Sequence, residues 1–283
     1  MSSSDSKARE VQGKRQDRRE ALCHIGGLAT IIATGMLQYR SLSALAQGRA
    51  QVVADASSMP AIASACAAIP EETAGPFPGD GSNSTANGIA NALTLPGIVR
   101  SDIRSSLAGA TGVARGLPLT LVLELVGGPA GCAPLAGHAI YLWHCDALGR
   151  YSMYSPGVSA ENYLRGVQVT DGSGKLRFST IVPGCYDGRM PHMHFEVYRD
   201  VASARRAADK LSTSQLGFPL AMLNEVYATN GYRDSAANLA RTSFASDPVF
   251  SDGHDLQICA VSGNRNEGYV ATLRVAIAGG RLA

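Results

Sequence analysis

Aromatic residues are scarce in this chain: 6% of 283, with a single tryptophan. A tyrosine or tryptophan inside a dense motif is therefore informative. Charge is scarce too, at 17% of residues and a formal net of +2. Residues 1–46 hold seven Lys/Arg and four Asp/Glu, which leaves 18 basic against 19 acidic residues in the remainder. A near-neutral body without a basic stripe argues against nucleic acid as a partner, because phosphate binding needs clustered cations. No Cys-x-x-Cys pair occurs, so neither a zinc knuckle nor a thioredoxin-like motif is supported. The apolar stretch Ala21–Leu37 is broken by His24 and Gly26-Gly27, which makes it a poor membrane span. There is no internal repeat and no strand–helix alternation, which counts against a Rossmann-type cofactor domain.

What is present begins with a targeting pattern. Lys7, Arg9, Lys14, Arg15, Arg18 and Arg19 precede the apolar stretch, and Ala44-Leu45-Ala46 fits a small-x-small cleavage site before Gln47. Arg18-Arg19 resembles a twin-arginine export signal. Residues 1–46 are expected to be this signal, 47–70 an Ala/Ser-rich tether, and 71–283 the folded domain; the product is expected to be periplasmic or extracellular. Cys23 lies in the signal. Cys66, Cys132, Cys145, Cys185 and Cys259 remain, an odd number that leaves pairing open.

Residues 71–100 are dense in Gly, Pro, Asn and Ser and read as loop. Beyond Leu117, period-two alternation recurs at 119–126, 138–145, 165–170, 176–181, 192–198, 256–261 and 269–277. Turn clusters such as Asp171-Gly172-Ser173-Gly174 separate these runs. The expected class is all-β, a β-sandwich of mixed topology with short helices and long loops. Residues 220–244 read as one or two short helices over an edge or end of the sandwich.

The sharpest local feature is Pro191-His192-Met193-His194-Phe195. In a strand, residues two apart share a face, so His192 and His194 project together while Met193, Phe195 and Val197 enter the core. Two imidazoles on a rigid strand are half of a metal site, although His-x-His alone also suits two polar residues facing solvent. Tyr186 follows a strand in the turn Pro183-Gly184-Cys185, and Tyr151 follows Trp143-His144-Cys145 and a glycine turn. The segment between them reads as a hairpin that could return both tyrosines to the histidine pair. Taken singly, each tyrosine reads as a packing residue; together with the histidines they make two phenolates and two imidazoles. Phenolates are hard anionic donors, so this set selects Fe(III) over Fe(II) or Zn(II) and suits a chelating catecholate.

The ordered blocks WHCDALGRYS, LRGVQVTD, FSTIVPGCY and RMPHMHF resemble the intradiol ring-cleavage dioxygenases, nearest to exported single-chain relatives of the protocatechuate 3,4-dioxygenase beta subunit. Pro70–Phe77, Arg100–Arg104 and Thr213–Leu216 extend the resemblance over roughly residues 66–220. It implies O2-dependent cleavage of a catechol-type ring, between the two hydroxyl-bearing carbons, to a muconate-type diacid. It implies Fe(III) held by Tyr151, Tyr186, His192 and His194. Tyr186 would leave the metal when substrate chelates and take up a substrate proton. Arg189 would lie beside the ring, with Gln215 as its partner, and Thr73, Gly75 and Pro76 would border the substrate. Only Asp187–Pro191 separates Tyr186 from His192, a shorter connection than family members often carry, so an open pocket is expected. Residues 47–70 lack the helical dimerisation region of catechol 1,2-dioxygenases, so that dimer is not expected. His138 and His144 read as structural, His254 as a loop residue, and Cys185 as an apolar filler. Two alternatives stand beside this reading: a His-x-His site for another metal, and a non-catalytic sandwich that binds polyphenol or polysaccharide.

Overall fold

The computed structural model describes residues 66–85, 88–128 and 131–278. The expected export signal, and the tether up to residue 65, lie outside the described residues. Eleven strands are described: β1 (Asp80–Thr85), β2 (Gly88–Asn91), β3 (Pro118–Gly127), β4 (Ala133–Pro134), β5 (Ala139–Trp143), β6 (Arg165–Val169), β7 (Lys175–Ile181), β8 (His192–Tyr198), β9 (Lys210–Gly217), β10 (Ala260–Asn264) and β11 (Gly268–Ile277). Two short helices, α1 (Leu220–Tyr227) and α2 (Ser235–Leu239), lie in the segment that reads as helical.

One sheet runs β10-β11-β3, with β7 and the two-residue β4 both on the far side of β3. The β11–β3 pair is parallel and its neighbours are antiparallel, which gives the mixed topology expected. The second sheet is β6-β5-β8-β9, all antiparallel. Between the sheets, Leu119, Leu121, Leu123 and Leu125 of β3 and Phe178 of β7 pack with Ile140 and Leu142 of β5 and Met193, Phe195 and Val197 of β8. Period-two alternation puts each of these on one face, and each fully buried leucine stabilises by about 1.5–3 kcal/mol.

The outer face of the second sheet is covered as well. Tyr141, Trp143, Tyr151 and Tyr198 form a second apolar cluster there with Ala92, Leu93 and Ile98 of the leading segment. Every residue of β8 is consequently buried, the even-numbered positions as well as the odd. Covering that face buries the His192–His194 side of the strand.

Three sequence expectations change. Residues 165–181 are not a hairpin: β6 pairs with β5 and β7 with β3, so the turn at Asp171–Gly174 carries the chain from one sheet to the other. Asp171 closes it, its carboxylate accepting from the N–H groups of Ser173 and Lys175. Asp80–Thr85 and Gly88–Asn91 form a small two-stranded sheet rather than loop. The run expected at 256–261 pairs with β11 only from Ala260; before that, Ile258 forms a single bridge to Gly217.

Residues 66–70 are stitched to the domain. Cys66 forms a disulfide with Cys132, and the Ile69 N–H donates to Ala276 O. Cys145, Cys185 and Cys259 are buried thiols. No helix among the described residues is long and apolar enough to cross a membrane.

Candidate metal and substrate site

Strand β8 presents His192 and His194 on its outer face, and two loops deliver tyrosines to them. The first runs from the end of β5 to Tyr151. Here Asp146 caps the turn, its Oδ1 accepting from the N–H groups of Leu148 and Arg150. Gly149 sits at φ +76°, and a Cβ there would lie 3.0 Å from the Tyr186 Cβ; only glycine lets the two tyrosine-bearing loops close to this distance. The second loop follows β7 through Pro183-Gly184-Cys185 to Tyr186. The Ser235 hydroxyl and the Asn238 amide of α2 hold the Cys185 backbone there.

The four side chains converge. The Tyr186 hydroxyl is 3.0 Å from His192 Nε2, and the Tyr151 hydroxyl is 3.4 Å from His192 Nε2 and 3.3 Å from His194 Nε2. The two Nε2 atoms are 3.1 Å apart. His192 Nδ1 lies 2.6 Å from Met190 O; a carbonyl only accepts, so Nδ1 holds the proton and Nε2 turns a lone pair toward the cluster. Four donor atoms spaced like this match the edges of a coordination shell with bonds of about 2.0–2.1 Å, the length usual for imidazole on a first-row metal. No group of three or more His, Cys, Asp or Glu among the described residues could hold a metal. Half of the donor set here is tyrosine.

Burial sets the protonation of these groups. It depresses His192 to about 3 and His194 well below the usual histidine range, with the Arg189 cation adding to both effects. Both imidazoles are therefore neutral and available as ligands. Burial also raises the phenols, Tyr186 to about 12 and Tyr151 well above the ordinary phenol value, while Arg189 pulls in the opposite direction. Such phenols ionise at neutral pH only beside a stronger cation, which is what a trivalent metal supplies.

Arg189 and Gln215 meet: Arg189 Nη2 donates to Gln215 Oε1 at 2.7 Å. Gln215 lies opposite His194 across the β8–β9 ladder, and its Nε2 donates to Thr73 O at 2.9 Å. Through that bond β9 holds the leading segment over the site. Gly75 follows at φ +67°, where a Cβ would lie 3.3 Å from His194 Cε1. The Asn83 amide donates to Pro76 O. Phe77 packs on Tyr151 with ring centroids 5.1 Å apart.

Sequence reasoning missed several participants. Asp247, fully buried, accepts from Arg189 Nε at 3.0–3.1 Å and from the Met190, Val249 and Phe250 N–H groups. It sits far along the chain in an aperiodic stretch, and no local pattern marks it. Trp143, stacked on His194, and Phe250, edge-on to His192, were also missed as site residues. Trp143 was the detectable one, as the single tryptophan inside a motif. His138, His144 and His254 are remote from the four donor atoms in their bonding: His144 bridges Thr180 and Cys145 O, His138 faces Ala136 O, and His254 stacks on Phe244.

Residues 110–208 match the family model described as Dioxygenase. Among solved structures, an intradiol ring-cleavage dioxygenase from Tetranychus urticae is 22% identical with a TM-score of 0.56, over 75% of this chain and 95% of that one. The dioxygenase domain of a carbohydrate-binding fusion from Streptomyces sp. SirexAA-E is 22% identical, TM-score 0.45, over 74% and 97%. The 3-chlorocatechol 1,2-dioxygenase of Rhodococcus opacus 1CP is 17% identical, TM-score 0.43, over 69% and 71%. No curated protein matches the chain. The chain is a β-sandwich protein in which residues 110–208 are similar to the Dioxygenase family. Its fold is similar to that of the intradiol ring-cleavage dioxygenase from Tetranychus urticae.

Proposed function

We propose that this protein is a ferric, non-haem intradiol dioxygenase that opens catechol-type rings with O2. The observation that carries the reading is the convergence of two phenols and two neutral imidazoles within 3.0–3.4 Å, beside Arg189. Tyr151, Tyr186, His192 and His194 would hold the iron. When bound, the ferric ion supplies a site at which a catecholate chelates and its ring becomes reactive toward O2.

The chain's own residues supply the remainder. Tyr186 is the more accessible phenol, on the loop nearest the Arg189 side. It would accept a substrate hydroxyl proton at its own oxygen, and its raised proton affinity makes it a competent base. Tyr151, 2% exposed and packed on Phe77, stays in place. Arg189, fixed by Asp247 and Gln215, stabilises negative charge on the ring, and a cation that is already oriented costs no reorganisation. Phe77 and Phe250 exclude water.

Oxygen uptake by iron-loaded protein with catechol, protocatechuate, hydroxyquinol and bulkier catechols tests the reaction. The protein should be red-brown from phenolate-to-iron charge transfer. Tyr186→Phe and His194→Ala should each abolish ring cleavage, and His194→Ala should also lose iron; full activity and iron in both would refute the assignment. We also propose export through the segment 1–46. The Cys66–Cys132 disulfide supports an oxidising destination. Fractionation of cells expressing the chain with and without an Arg18→Lys, Arg19→Lys change tests this: retention of the altered protein inside the cell is expected.

A further inference from the structure

The two imidazoles of the site are held in different ways. His192 donates from Nδ1 to Met190 O, the usual arrangement, in which a hydrogen bond on the far nitrogen orients a ligating histidine. His194 Nδ1 is buried with no hydrogen-bond partner. The Thr73 carbonyl, which accepts from Gln215 Nε2, is near enough to His194 to interact with it but does not meet standard hydrogen-bond geometry there. Something else must fix the plane of the His194 ring.

Antiparallel register sets Trp143 of β5 directly opposite His194 of β8. Indole and imidazole lie 5.0 Å apart between centroids and only 6° from parallel. Tyr141 stacks on the same indole at 5.0 Å and 22°. Its hydroxyl donates to Pro78 O at 2.8 Å and accepts from Arg165 Nη1 at 3.0 Å. Arg165 is itself buried, and its donors end on the Phe77, Pro78 and Ser152 carbonyls and the Ser152 and Tyr141 hydroxyls. The stack is thus anchored at its far end to the backbone of both loops that frame the site. The Trp143 Nε1 is buried and makes no hydrogen bond. An indole whose only donor is wasted, at a cost in desolvation, is retained for its ring.

We propose that Trp143 is the positioning residue for His194: ring stacking, in place of a hydrogen bond, sets the plane of this imidazole and aims its Nε2 at the metal. The inference rests on the ferric reading above, whereas the ring packing it invokes does not.

The test compares wild type with Trp143→Phe, which keeps a flat ring, and Trp143→Leu, which does not. Iron affinity and the visible charge-transfer band are measured in the loaded proteins, and near-ultraviolet circular dichroism checks folding. Trp143→Leu should bind iron about 10-fold more weakly, the loss typical when a ligand's orienting partner is removed, with a displaced band. Trp143→Phe should restore both. Wild-type affinity and band in a folded Trp143→Leu protein, or equal loss in both variants, would overturn the proposal. If the leucine variant does not fold, Trp143→Met, close in volume and without a ring, takes its place. If wild type takes up no iron, the ferric reading fails on its own. The metal-free protein then decides the stack: the His194 Cε1 proton should resonate upfield in wild type and return toward the ordinary position in Trp143→Phe less than in Trp143→Leu. An unshifted wild-type resonance would overturn it.

Discussion

Asp247→Asn is the most exacting perturbation of the site that touches none of the four proposed ligands. The carboxylate is fully buried and every contact it makes is as an acceptor. Oδ1 takes Arg189 Nε at 3.1 Å and the Val249 and Phe250 N–H groups at 2.8 and 3.2 Å; Oδ2 takes Arg189 Nε at 3.0 Å and the Met190 N–H at 2.6 Å. Asparagine has one acceptor oxygen, so in either orientation its NH2 faces a backbone N–H. The change weakens a charged hydrogen bond, about 1.5–3 kcal/mol, and strands a buried donor, about 1–3 kcal/mol. Together these predict a loss of about 2.5–6 kcal/mol, which brackets the range of about 3–5 kcal/mol for breaking a buried ion pair from one side. Urea unfolding at neutral pH measures it: with a slope of about 3 kcal/mol/M, the midpoint should fall by at least about 1 M. The substitution should also lower kcat/KM by releasing Arg189. Burial pushes the Asp247 carboxyl up, but the Met190 and Val249 N–H groups and Arg189 outweigh it and hold the pKa below the ordinary value. The contribution is therefore present above the unfolded pKa and lost as pH falls through the folded one. A midpoint within about 0.3 M of wild type, roughly 1 kcal/mol, would refute the reasoning.

Two further outcomes follow from buried groups outside the proposed ligand set. Burial lowers His144 to about 4, so the unfolded chain binds that proton first as pH falls below the usual histidine range. Stability should decline between about pH 6.5 and 4, by roughly 3 kcal/mol in all, and a His144→Gln variant should show a flatter profile in that window; parallel curves would count against it. The Cys66–Cys132 bridge closes a separation of 66 residues. Chain entropy then assigns it about 4 kcal/mol, so Cys66→Ser should lower Tm by roughly 10 °C. A melting point that neither this change nor a reductant moves would contradict that figure.

How much of this was legible in the sequence depended on the range over which each signal acts. The histidine pair needed only strand geometry, since His192 and His194 are two residues apart and their shared face follows from the pleat. Six of the seven runs with apolar alternation emerged within a residue or two, and the run at 256–261 is displaced to Ala260–Asn264. Strand β9 did not, because Ser212, Thr213, Ser214 and Gln215 carry its buried faces. The side chains of Ser212, Ser214 and Gln215 are tolerated there because Glu71, Pro70 O and Thr73 O bond them. No local window contains those partners, which lie more than 140 residues upstream. The segment 165–181 was misread for a related reason: a tight Asp-Gly turn fits a hairpin and a sheet-to-sheet crossing equally well, and only the pairing of its flanks distinguishes the two.

The same distinction separates the parts of the site. The proposed ligands lie on three consecutive pieces of chain within 44 residues, so motif reading could gather them. The residues that aim them come from elsewhere: Asp247 from beyond α2, Thr73 and Gly75 from the leading segment, Gln215 from β9. Each reaches the site through a hydrogen bond or a close backbone approach that has no sequence periodicity. Trp143 is the exception that joins both groups, since it belongs to the ligand motif by sequence and to the positioning shell by register. Its place opposite His194 depends on β5 and β8 pairing without a slip. A one-residue shift would turn the indole into the inter-sheet core and leave the imidazole unstacked. The register of this one strand pair therefore couples the packing of the sandwich to the geometry of the proposed metal site.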